Sequence, residues 1–209
     1  MSKNEGREMS THKEASAWFD GLYDEHKEAH ENIPWARQAV NPLLQRYLDD
    51  VSEHTGKALV IGCGLGDDAK ALELAGYDVV AIDIAQTALD LAAARFPESN
   101  IVFEKQDIFE MPEKYHEHFD FVFEAFTIQS LPVKFREKMI KAVADTVAKE
   151  GKLLFVAHQK EELFDGPPWP LVKDEVDLFK THSLKELSHT IETEESKISN
   201  TFFRVLYTK

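Results

Sequence analysis

At 209 residues, 43% hydrophobic and 11% aromatic, the chain can bury one globular core, and it has no apolar run near the roughly 20 residues of a membrane span. Its 24 basic and 38 acidic residues leave a net charge of −14, which repels a phosphate backbone and argues against DNA or RNA as a partner. The start, MSKNEGREMSTHKEA, lacks the apolar core of a signal peptide, the single Cys63 cannot pair within the chain, and the nine histidines show no zinc-ligand spacing. The expectation is a cytoplasmic protein in a reducing compartment, without metal or membrane partner, monomeric or homodimeric, with residues 1–13 disordered.

In chain order, helical signals cover residues 14–29 and 42–47 and carry Trp18, Phe19, Tyr23 and Trp35. These residues are too few for a second domain, so residues 14–50 are read as a helical cover over a core spanning residues 55–209. From residue 55 onward, short β-branched runs alternate with helical patterns, the mark of βα units feeding a parallel sheet. Strands are predicted at 57–61 (KALVI), 78–82 (DVVAI), 101–104 (IVFE), 119–124 (FDFVFE) and 152–157 (KLLFVA), with a last one at 201–207 (TFFRVLY). Their continuous apolar character suits strands covered on both faces. Helices are predicted at 67–75, closed by Gly76, at 85–95, and at 132–149, where Phe135, Met139, Ile140, Val143 and Val147 recur at helical spacing between Pro132 and Gly151. A loop at 164–171 (FDGPPWPL) precedes an acidic helical stretch at 173–179, and residues 192–195 (ETEE) read as a solvated loop. The predicted fold is α/β, with a Rossmann-like, seven-stranded, mostly parallel sheet, helices on both faces and an antiparallel last strand.

The turn after the first strand reads Gly62-Cys63-Gly64-Leu65-Gly66-Asp67-Asp68. Glycine is required where backbone turns sharply and touches a flat ligand, because a β-carbon would clash. Asp83 closes the second strand about twenty residues on, where a carboxylate can accept ribose hydroxyls. Two cofactor classes fit. A dinucleotide places its pyrophosphate at the following helix start, where Asp67 and Asp68 would repel it; S-adenosylmethionine (SAM) carries cationic groups and no phosphate. Asp67 also occupies the sixth position of the dinucleotide fingerprint, where glycine is expected, which favours SAM over a nicotinamide cofactor.

From about Gly56 to the C-terminus this pattern resembles the class I SAM-dependent methyltransferases. The resemblance implies that Gly62, Cys63, Gly64 and Asp67 lie at the cofactor, that Asp83-Ile84 meets the ribose, that Asp107-Ile108 meets the adenine and that Glu124 ends the fourth strand beside it. Asp107 would equally serve as a turn cap after the third strand. Trp18, Ile33-Pro34-Trp35 and Gly166-Pro167-Pro168-Trp169-Pro170 further resemble the thiopurine, thiol and halide methyltransferase group. That group covers SAM with an N-terminal helix and methylates soft nucleophiles. On this reading Trp18 covers the cofactor, Trp35, Phe126 and Trp169 wall the pocket of a small-molecule acceptor, and His158 is the candidate proton acceptor. The exit from the fourth strand, Glu124-Ala125-Phe126-Thr127, lacks the Asn/Asp-Pro-Pro-Tyr/Phe motif of amino-methylating enzymes. Cys63 is read as packing. A SAM-binding module without catalysis shares the same cofactor residues and stays open at this point, as does, more remotely, a nicotinamide-dependent reductase.

Overall fold

The computed structural model describes residues 12–26, 29, 33, 35–160, 168–193 and 200–209, with the side chains of residues 12, 13, 15 and 16 excepted. Most of residues 1–13, Pro34, the Gly166-Pro167 pair and Glu194-Glu195 therefore lie outside the described residues. Seven strands form a single sheet: β1 (Lys57–Ile61), β2 (Asp78–Asp83), β3 (Val102–Lys105), β4 (Phe119–Ala125), β5 (Val147–His158), β6 (Lys185–Thr193) and β7 (Thr201–Thr208). Their order is β3-β2-β1-β4-β5-β7-β6. The first five neighbours pair in parallel, and β7 runs antiparallel to both β5 and β6.

Helices cover both faces, and the alternation along β1 shows how. Leu59 and Ile61 pack with Met139, Ile140 and Val143 of α5 (Arg136–Thr146). Ala58 and Val60 face the other way, onto Leu43, Leu44 and Tyr47 of α2 (Pro42–Asp50) and Ala69 and Leu72 of α3 (Asp67–Ala75). A strand buried on both sides cannot alternate polar with apolar residues, which is why β1 reads as an unbroken apolar run. Helix α2 starts where Asn41 Oδ1 accepts from Leu43 N at 2.9 Å, with Pro42 at its first position. Helix α3 stops at Gly76, whose φ of 119° lets its N–H reach the Leu72 and Glu73 carbonyls.

A third cluster joins the N-terminal segment to the core. Tyr23 of α1 (His12–Glu25) and Ile33 pack against Leu65, Ala85 and Ala88, the last on α4 (Gln86–Arg95). Asp20 Oδ1 accepts from Thr87 N in the first turn of α4 at 2.9 Å, and Asp68 Oδ1 accepts from Asn41 N at 2.7 Å. Leu65 and Ala85 follow the C-terminal ends of β1 and β2, so the cover lies over the edge where open α/β sheets bind ligands.

Three sequence expectations need correction. The long helix expected over residues 132–149 is a 3₁₀ turn at Val133–Phe135 followed by α5, which ends at Thr146. The Asp145 and Thr146 carbonyls accept from Glu117 and His118 N–H, and Val147 pairs with Phe119, so sheet pairing overrides the helical period. Gly151 is no helix stop: a Cβ there would lie 2.8 Å from the Phe119 carbonyl oxygen. The stretch at 173–179 is two short helices, α6 (Lys173–Val176) and α7 (Leu178–Thr181), and Glu192, expected in a loop, lies in β6.

Candidate active site

The glycine turn takes the conformation its composition demands. Gly62, Gly64 and Gly66 have φ of 64°, 51° and 83°, all in the left-handed region. At Gly62 a β-carbon would also sit 2.3 Å from Thr127 Oγ1, which donates to the Ile61 carbonyl at 3.1 Å. The turn after β4 thus backs directly onto the turn after β1. Gly62→Ala is expected to cost about 2–3 kcal/mol, from overpacking plus the left-handed backbone. Urea denaturation measures it, and Thr127→Ala should relieve part of the loss.

Asp83 links this turn to the one after β2. Its Oδ2 accepts from Gly64 N at 2.9 Å and its Oδ1 from Ala85 N at 3.0 Å, and the residue is 7% exposed. Burial pushes its pKa up, while hydrogen bonds from the Ala85, Gly64 and Ile84 backbones pull it down. A carboxylate has about four lone-pair sites, so the hydrogen bonds from Gly64 and Ala85 leave it able to accept a ligand hydroxyl. Cys63 is buried beside it; burial, then the Asp83 charge, raises the thiol well above its ordinary pKa and favours the neutral thiol.

Asp107 caps the turn after β3, its Oδ1 accepting from Phe109 N at 2.9 Å, and Ile108 begins that turn as part of the core. Ile84 is half-buried next to Asp83. Asp67 opens α3. Its two carboxylate oxygens each take an Arg95 nitrogen at 2.7 Å, and Arg95 also donates to the Leu65 carbonyl. The carboxylate therefore ties α3 to α4. Asp68 accepts the Asn41 N–H, and burial raises its pKa to about 6. The repulsion of a pyrophosphate by these two acids is thus weaker than the sequence implies.

At the end of β4, Glu124 is fully buried, and its Oε1 accepts from both Thr127 N and Ile128 N at 2.8 and 2.9 Å. Its side chain shapes the turn from beneath. Phe126, with φ of 66°, sits in that turn and lies 5.2 Å from the His158 ring and 6.0 Å from Phe202. His158 closes β5, 7% exposed, with its ring 4.5 Å from Phe202 and its backbone N–H donated to Gln129 Oε1 at 2.7 Å. Trp169, half-buried, donates its backbone N–H to the Gln129 carbonyl at 2.7 Å. Over the glycine turn, Trp18, Phe19, Tyr23 and Trp35 form an aromatic cluster with centroids 4.8–5.9 Å apart. Trp35, though 40% exposed, donates Nε1–H to the Tyr23 hydroxyl at 2.8 Å, and a β-carbon on Gly64 would meet that hydroxyl at 3.0 Å. Tyr23 was absent from the sequence-derived site; its aromatic neighbours in a cover helix were the only hint. A cavity of about 510 Å³ between α2 and α3 does not mark the site, since none of Gly62, Gly64, Asp83, Asp107 or Glu124 lines it.

The profile of the family Thiopurine S-methyltransferase (TPMT) matches residues 24–202, the greater part of the chain. The chain belongs to the thiopurine S-methyltransferase family. Thiocyanate methyltransferase 1 of Brassica oleracea is 28% identical to this family member over 190 residues, covering 86% of this chain and 79% of that protein. Thiocyanate methyltransferase 1 of Arabidopsis thaliana is 28% identical over 177 residues, covering 80% and 77%. Among solved structures, the N-methyltransferase NodS from Bradyrhizobium japonicum WM9, in complex with S-adenosyl-L-homocysteine, shares the fold with a TM-score of 0.72 at 19% identity, over 91% of this chain and 99% of that one. This thiopurine S-methyltransferase family protein is a class I, SAM-dependent methyltransferase with the seven-stranded Rossmann-like sheet the sequence implied.

Proposed function

We propose that the enzyme methylates a small sulfur nucleophile, a thiol or a thiocyanate-like anion, at the C-terminal edge of β4 and β5. The observation that carries this reading is the wall made by Phe126, His158 and Phe202, three rings packed together where the acceptor must meet the cofactor. Such a surface suits a polarisable, weakly hydrated nucleophile better than a strongly hydrated one. The names of the two plant relatives support the same class.

SAM, when bound, supplies a methyl carbon on a sulfonium that a thiolate displaces in line. The chain's task is then to orient two reactants and keep water out. In this assignment Gly62, Cys63 and Gly64 present backbone to the cofactor, Asp83 with Ile84 takes the ribose, and Asp107 with Ile108 flanks the adenine. Asp107 caps its turn through one oxygen, which keeps the carboxylate oriented for that contact. Trp18 and Tyr23 roof the cofactor, their faces stabilising a nearby sulfonium charge, and Trp35, bonded to the Tyr23 hydroxyl, lines the acceptor pocket. Glu124 and Asp67 support the two turns from behind. His158 accepts the proton of a neutral thiol; an anion such as thiocyanate has none to give. Phe126 and Trp169 complete the acceptor wall.

Calorimetric titration with SAM, S-adenosylhomocysteine and NADH, followed by assay of S-adenosylhomocysteine formation with hydrosulfide, thiophenol, thiocyanate and iodide, tests the assignment. The expected result is micromolar binding of both adenosyl ligands, no binding of NADH, and turnover with at least one sulfur acceptor. SAM binding without turnover on any sulfur acceptor would overturn the acceptor class.

A further inference from the structure

A buried arginine stands apart from the residues considered so far. Arg136, the first residue of α5, is 3% exposed, so its charge must be matched within the protein. One terminal nitrogen donates to both Glu175 oxygens at 2.8 Å, and the other donates to the Trp169 carbonyl at 2.6 Å. Glu175 Oε2 in turn accepts from Val172 N at 2.9 Å. Among the described residues, the strip these groups grip, residues 168–172, is also held by the Trp169 backbone N–H to the Gln129 carbonyl, by Leu171, whose N–H meets the His158 carbonyl, whose carbonyl takes the Lys160 N–H and whose side chain is buried in the core, and by the Val172 carbonyl, which accepts from Glu175 and Val176. Gln129, 2% exposed, also accepts the His158 N–H through its side chain. The same few groups therefore fix both His158 and the strip that carries Trp169.

We propose that Arg136, acting with Glu175, is a positioning residue for the methyl acceptor: it holds residues 168–172 beside the end of β5 and so sets the distance between Trp169 and the Phe126–His158 wall. This rests on the acceptor site proposed above. The guanidinium suits the task because its planar fork satisfies a carboxylate and a carbonyl at once, which a lysine ammonium on a flexible stem does not reproduce. The Arg136 charge also reaches Glu124, buried at the end of β4, where it opposes the rise in pKa that burial causes. The glycine turn and Asp83 make none of these contacts, so cofactor binding should be insulated from them.

The test compares Arg136→Lys and Glu175→Ala with wild type in three readouts: SAM affinity by calorimetry, KM and kcat for the best sulfur acceptor, and backbone amide exchange. In both variants the expected result is acceptor KM raised about 10-fold with SAM affinity within 2-fold of wild type. Exchange at Trp169 and Leu171 should accelerate at least 10-fold while β1 amides stay protected, and the double variant should be no worse than the poorer single one. Equal losses of SAM affinity and acceptor KM, or unaltered exchange at Trp169 and Leu171, would overturn the proposal. Failure of the acceptor assignment shows separately, as no product from wild type with any sulfur acceptor; the exchange measurement decides the positioning role regardless.

Discussion

Asp83→Ala is expected to bind SAM about 10- to 100-fold more weakly than wild type, the loss of roughly 1.5–3 kcal/mol that goes with hydrogen bonds to a charged group. The carboxylate does two jobs, which the experiment has to separate. It ties the turn after β1 to the turn after β2 through Gly64 and Ala85, and it keeps capacity for a ligand hydroxyl. Removing it strands two backbone N–H groups, so a fall in stability of about 1–3 kcal/mol should accompany the loss of affinity. Asp83→Asn retains one acceptor oxygen and points an amide donor at one of the two backbone donors; it should be destabilised by a similar amount while recovering little SAM affinity. Circular dichroism confirms that each variant is folded at the titration temperature. A folded Asp83→Ala protein with wild-type SAM affinity would confine Asp83 to bracing the two turns and remove it from the cofactor site.

The parts of the fold that were legible in sequence are those decided locally. β1, α3 and β2 sit within one residue of their predicted bounds because each is a short, strongly apolar or well-capped segment in an unbroken βα series. The strand β6 was not legible. Its sequence, KELSHTIET, is mostly exposed, and at the sheet edge it pairs with β7 alone, so no alternating apolar face announces it. α5 was drawn too long because Val147 continues the helical period, and only the distant Phe119 reveals that it belongs to the sheet. The site divides in the same way. The glycine turn and Asp83 carry their chemistry in residue type and spacing, whereas Thr127, Gln129, Arg136 and Tyr23 matter only through partners far away in sequence. Asp67 combines the two: its position beside the glycines is read from sequence, whereas its pairing with Arg95, 28 residues on, shows only in the fold.

Glu124 should make the stability of the protein fall as pH rises from about 4.5 towards 7. Full burial beneath the Thr127–Ile128 turn raises its pKa from 4.5 to about 7, against the opposing pull of two backbone N–H donors, the Thr127 side chain and the Arg136 charge. Below pH 4.5 the carboxyl is protonated both folded and unfolded and contributes no pH dependence. Between 4.5 and about 7 the unfolded chain releases the proton while the folded chain keeps it, so stability declines with rising pH; above about 7 the whole penalty is present. A change from 4.5 to about 7 corresponds to about 3 kcal/mol. Glu124→Gln isolates this, because the amide oxygen can still accept from Thr127 and Ile128 but the side chain does not titrate. Asp68 and Asp83, also raised by burial, titrate in both proteins and cancel in the difference. Urea denaturation should therefore find the variant gaining about 3 kcal/mol on wild type between pH 5 and pH 8. Parallel profiles for the two proteins would mean that the Thr127 and Ile128 donors, with the Arg136 charge, keep Glu124 ionised across the range in spite of its burial.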